Sequence, residues 1–83
     1  MIKLMLADDH AMLREGLRSK FAGHPDMEVV GEAASAKELL TKIATLKPTV
    51  MILDMKLPDA NGVTMIRQIK NALPSCKIVA LTL

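Results

Sequence analysis

Aromatic side chains are almost missing from this chain: Phe21 stands alone, with neither Trp nor Tyr in 83 residues. A core without rings has to be filled by Leu, Ile, Val and Ala, with seven methionines as the other large apolar side chains. Cysteine is equally scarce. The single thiol, Cys76, excludes an internal disulfide framework and a multi-cysteine zinc site, which suits a reducing compartment. It reads as a small buried thiol leading into a strand. The formal charge of +2 comes from scattered basic residues, with no run of them and no interleaved aromatics, so nothing here builds a nucleic-acid surface. No apolar stretch is long enough to span a membrane, and Asp8 and Asp9 interrupt the region where a signal peptide needs its apolar core. The expected setting is soluble and cytoplasmic, with no membrane partner.

What the chain does have is alternation. Short apolar or β-branched segments take turns with longer segments of helical period, the pattern of βαβ units and a parallel sheet. The first strand is Ile2 to Ala7. Leu13, Leu17 and Phe21, with Met12 beside them, form the stripe of a helix that starts at Asp9 or His10 and stops near Gly23 and Pro25. A second strand, Met27 to Ala33, leads to a helix capped by Ser35 with Glu38 three residues on. Its apolar face is Leu39, Leu40, Ile43 and Leu46, and Lys47-Pro48 ends it. A third strand runs from Thr49 to Asp54. The turn from Lys56 to Gly62 then opens a helix carrying Val63, Ile66, Ile69 and Leu73, stopped by Pro74. The fourth strand is Lys77 to Thr82. A parallel strand of this composition expects burial on both faces and a neighbour on each side, so the chain reads as one domain, residues 1–83, that belongs to a longer one.

Three carboxylates carry the chemistry. Asp8 and Asp9 follow the first strand and Asp54 ends the third, and ligands of open parallel sheets bind at the carboxyl ends of strands where the strand order reverses. If those strands are neighbours, the three acids meet and repel one another by several kcal/mol per pair at close range. A proton, a cation or much water must relieve that repulsion. Mg²⁺ suits a site with few carboxylates and room for waters and phosphate oxygens, and Asp54 beside it is placed to attack a phosphoryl group.

The same residues resemble a known family. Asp8-Asp9-His10, Arg14, Gly16-Leu17, Asp54 with Pro58 and Gly62, and Leu81-Thr82 are spaced as in the receiver domain of two-component response regulators. The segment from Ala7 to Leu17 looks most like receivers that precede a LuxR-type helix-turn-helix domain. The resemblance implies a partial flavodoxin-like α/β fold, a three-layer sandwich of about four parallel strands in the order 2-1-3-4 with helices on both faces. The fifth strand, its phosphoryl-pairing lysine and the last helices of a complete receiver would lie beyond Leu83. It also implies Asp54 as phosphoacceptor, Thr82 as switch hydroxyl, and Mg²⁺ held by Asp8, Asp9, Asp54 and the backbone carbonyl of Lys56. The implied partner is a sensor histidine kinase, with DNA reached only through a domain not in this chain. The protein would be a signalling switch in a transcriptional regulator, not a turnover enzyme.

Plainer readings stand beside these. Taken singly, Asp8 and Asp9 suit helix capping, Asp54 a turn, and Thr82 an ordinary strand position. His10 reads as a solvent-facing first-turn residue, and Asn61 and Gly62 as turn formers. An aspartyl-phosphate phosphohydrolase of the haloacid-dehalogenase kind is disfavoured, because His10 stands where its second aspartate belongs. A receiver that takes no phosphate and works as an interaction module, by homodimer formation or strand exchange at the bare fourth strand, is the stronger alternative.

Overall fold

The computed structural model describes residues 1–81. Its elements are β1 (Ile2–Ala7), α1 (Ala11–Ala22), β2 (Met27–Ala33), α2 (Ala36–Leu46), β3 (Val50–Asp54), β4 (Lys56–Leu57), β5 (Ala60–Asn61), α3 (Gly62–Ala72) and β6 (Lys77–Leu81). The four long strands form one parallel sheet in the order β2-β1-β3-β6. This is the expected order, with β6 as the fourth strand. The segment read as a plain turn contains a miniature antiparallel hairpin, β4 and β5, pairing Lys56 with Asn61 and Leu57 with Ala60.

Strand alternation sends β1 and β3 side chains to two faces. Met5, Ala7, Met51 and Leu53 enter a core shared with Ala36, Leu39 and Ile43 of α2 and Met65 and Ile69 of α3. Leu4, Leu6 and Ile52 alternate with them and are also buried. α1 packs along β2, and none of its residues is fully buried: Leu13, Leu17 and Phe21 are half-buried. Three methionines, Met5, Met51 and Met65, have no exposure at all and do much of the filling that aromatic rings do elsewhere.

Local chemistry explains the helix boundaries. Ser35 caps α2 by accepting from the Glu38 N–H at 3.1 Å, and the Glu38 carboxylate accepts from the Ala34 N–H at 2.7 Å, one residue before the usual capping-box partner. Lys47 takes the left-handed conformation that closes α2, at φ 47°. Asn61 caps α3 through the Thr64 N–H at 2.8 Å.

Two stripe assignments need correction. Met12 lies outside the α1 stripe, 86% exposed, and Val63 is exposed while Met65 takes its place in the core. The buried face of α3 is Met65, Ile69 and, half-buried, Ile66 and Leu73; Val63, although three residues before Ile66, falls to the solvent side of that face. Gly62 is not a positive-φ turn former. It is small because a Cβ there would press on Met55, whose Cα would lie 3.0 Å away. β6 keeps the exposure expected of a bare edge, with Val79 49% exposed.

A candidate metal and phosphate site at the sheet edge

The chain turns from β1 to β2 on one side and to β3 on the other, so the strand order reverses between β1 and β3. The pairing Ala7 with Leu53 aligns the carboxyl ends of these two strands. Asp8 continues β1 by one ladder bond, its N–H donating to the Ala33 carbonyl at 2.9 Å, and Asp54 is the last residue of β3. Register therefore brings the two acids to one edge. Each of Asp8, Asp9, His10 and Asp54 offers a ligand atom, and these atoms lie within 4.8 Å of one another. Asp8 and Asp54 are buried, with 2% and 9% of their surface exposed, while Asp9 and His10 face solvent.

Both buried carboxylates already hold local bonds. Asp8 Oδ1 accepts the His10 N–H at 2.6 Å, an Asx turn that steers the chain into α1. Asp54 Oδ1 accepts the Lys56 N–H at 2.9 Å, and the Met55 N–H donates to the Leu81 carbonyl at 3.2 Å. The turn-forming role and the chemical role of Asp54 thus coexist. His10 is the residue that reading by spacing missed: its Nδ1 stands 3.0 Å from Asp8 Oδ1 and 3.1 Å from Asp9 Oδ1. Its pKa is raised by the hydrogen bond to Asp8 and by the charges of Asp9 and Asp8. The Asx turn at Asp8 was the available signal, since it folds the next-but-one residue back over the carboxylate.

The chemistry of the donor set fits Mg²⁺, which takes hard oxygen ligands, few carboxylates and several waters. Asp8, Asp9 and Asp54 supply such oxygens with two of the carboxylates held rigidly by backbone. Lys56, whose carbonyl was expected to contribute, lies on β4 next to this cluster with its side chain exposed. Thr82, the expected switch hydroxyl, lies outside the described residues.

An open parallel sheet with carboxylates gathered at its switch point defines an α/β domain of the flavodoxin kind. More specifically, residues 4–83 match the response regulator receiver domain, and the chain belongs to that family. It is 43% identical over 81 residues to the response regulator protein VraR of Staphylococcus epidermidis, covering 98% of this chain and 39% of that protein. It is 37% identical over 82 residues to the DNA-binding transcriptional activator DevR/DosR of Mycobacterium tuberculosis, covering 99% of this chain and 38% of that protein. Among solved structures, the isolated REC domain of RcsB from Salmonella enterica serovar Typhimurium, in the presence of the phosphomimetic BeF3-, superposes with a TM-score of 0.92. The identity is 31%, over 98% of this chain and 61% of that one. The chain thus spans about two fifths of the length of the curated relatives it matches.

Proposed function

We propose that this chain is the phosphoacceptor part of a two-component response regulator, taking a phosphoryl group on Asp54 from the phosphohistidine of a sensor kinase or from a small phosphodonor. The observation that carries the reading is the convergence of Asp8, Asp9 and Asp54 within 4.8 Å at the switch point of a receiver-family sheet. Asp54 is the nucleophile: a carboxylate oxygen forms the new bond to phosphorus while the bond to the donor breaks and the donor keeps its electron pair. Asp8, Asp9, Asp54 and the Lys56 carbonyl hold Mg²⁺. Bound there, the ion supplies positive charge against the phosphoryl oxygens. The Lys56 N–H, now bonded to Asp54, would donate to the phosphoryl group once that carboxylate is phosphorylated. Thr82 then acts as the switch hydroxyl. The whole protein is a cytoplasmic transcriptional regulator whose DNA contacts lie in another domain, a reading supported by its similarity to the DNA-binding transcriptional activator DevR/DosR.

Beryllofluoride binding tests the reading directly. With Mg²⁺ present, fluorine NMR is expected to show a bound beryllofluoride signal for the native chain and none for Asp54→Asn. Equal signals from both, or none from either, contradict it.

The exposure of β6 supports a second reading, in which the chain pairs its edge with another copy. The edge position of β6, hydrogen-bonded to β3 alone among the described residues, is the observation that favours it. Light scattering separates the two: Val79→Lys is expected to dissolve any oligomer, whereas a native chain that stays monomeric at high concentration removes this reading.

A further inference from the structure

The first turn of α2 is capped from two places. Ser35 and Glu38 act locally, but the two N–H groups nearest the terminus are satisfied by a residue far away in sequence. Asp59, at the tip of the β4–β5 hairpin, accepts from the Ala36 N–H through Oδ1 at 2.7 Å and from the Lys37 N–H through Oδ2 at 3.0 Å. With Glu38 bonded to Ser35, and the Leu39 N–H reaching the Ser35 carbonyl at 3.0 Å, every donor of that turn has an acceptor. A carboxylate at a helix N-terminus is also favoured by the helix dipole.

The hairpin needs such an anchor. Two strands of two residues each do not hold together alone in water. Its root is fastened: Leu57 is buried, the Lys56 N–H bonds Asp54 at 2.9 Å and the Met55 N–H bonds Leu81 at 3.2 Å. Its tip, Pro58 and Asp59, is exposed, and among the described residues the Asp59 carboxylate is what ties that tip to a helix. Lys56 belongs to that root, three residues before Asp59 on the same hairpin.

We propose that Asp59 is a positioning residue for the acidic site: by clamping the hairpin to α2 it sets where the Lys56 carbonyl stands, and so how tightly the site takes Mg²⁺. The inference rests on the metal reading above. Asp59 touches neither the acids nor any ligand; it acts through the hairpin backbone. Its carboxyl is held below the usual carboxylate range by the two backbone donors, consistent with a bond made by the ionised form.

A purely structural cap is the competing account, and Ser35 provides its control. Calorimetric titration with MgCl2 alone is done on the native chain, Asp59→Ala, Asp59→Asn and Ser35→Ala, with amide exchange across residues 55–61 measured without metal. Removing an outer-shell hydrogen bond costs metal sites roughly tenfold or more in affinity. Asp59 is bonded to no ligand and acts one step further out, so Asp59→Ala is expected to weaken Mg²⁺ binding by less than that, between about two- and tenfold, and to speed exchange in the hairpin. Asp59→Asn, keeping one carbonyl acceptor, falls between and carries the test if the alanine variant unfolds. Ser35→Ala removes a cap from the same helix and leaves affinity unchanged. Equal affinities for Asp59→Ala and Ser35→Ala, or unchanged hairpin exchange, overturn the proposal. A native chain that takes up no Mg²⁺, with exchange still faster in Asp59→Ala, sinks the metal reading and the affinity claim while leaving the clamp itself established.

Discussion

Ala7 of β1 and Leu53 of β3 stand opposite each other, and that pairing delivers Asp8 and Asp54 to one sheet edge. Slipping the register by one residue would turn Met51 and Leu53 out of the core they share with α2 and α3. The geometry of the acidic site is therefore enforced by the same apolar burial that stabilises the sheet. Core packing and site chemistry are coupled through two backbone positions.

Burial separates the methionines. Met51 is inaccessible, so Met51→Ala leaves a cavity and is expected to cost about 2–5 kcal/mol. Met12 is exposed on α1, and Met12→Ala is expected to change stability by no more than about 0.5 kcal/mol. Urea unfolding followed by circular dichroism measures both, since the chain has no tryptophan for fluorescence.

Two glycines should respond with opposite signs. Gly16 lies within α1 with nothing within 4 Å of where a Cβ would sit, so Gly16→Ala is expected to stabilise by about 0.5–1 kcal/mol. Gly62→Ala drives a methyl group against Met55 and is expected to destabilise the chain. Thermal midpoints that rise for the first and fall for the second confirm the assignment.

Acid stability has a local cause at the α2 N-terminus. Glu38 is held below its ordinary value of 4.5 by the Ala34 N–H and then by Lys42, and Asp59 below 3.8 by the Ala36 and Lys37 N–H groups. Groups with depressed folded pKa values contribute stability above their unfolded values and lose it as pH falls through the folded ones. Urea midpoints of the native chain are expected to drop through and below the 4.5 to 3.8 window. The double variant Glu38→Gln, Asp59→Asn should show a shallower fall. Parallel slopes would assign acid sensitivity to other carboxylates.

Most of the architecture was legible because it rests on short-range periodicity. Alternating strand and helix patterns, the Ser35 cap and the breakers at Gly23 and Pro48 are local signals, and the parallel order follows from the α/β pattern and the family resemblance. The meeting of Asp8, Asp9 and Asp54 was legible because they follow or end apolar strands. The phase of α3 was not: Val63 and Met65 are both apolar, and local spacing does not tell which of them faces the core. His10 escaped because its approach to two carboxylates depends on an Asx turn, and spacing alone does not report side-chain direction. Asp59 reaches α2 across 23 positions, a contact that leaves no local mark in the sequence.

Phosphoryl transfer to Asp54 is tested most directly by intact-mass measurement after incubation with acetyl phosphate and Mg²⁺. The native chain is expected to gain the mass of one phosphoryl group, the Asp54→Asn chain none, and hydroxylamine should remove the adduct as it does from acyl phosphates. No adduct on the native chain, or equal labelling of the variant, would contradict the account.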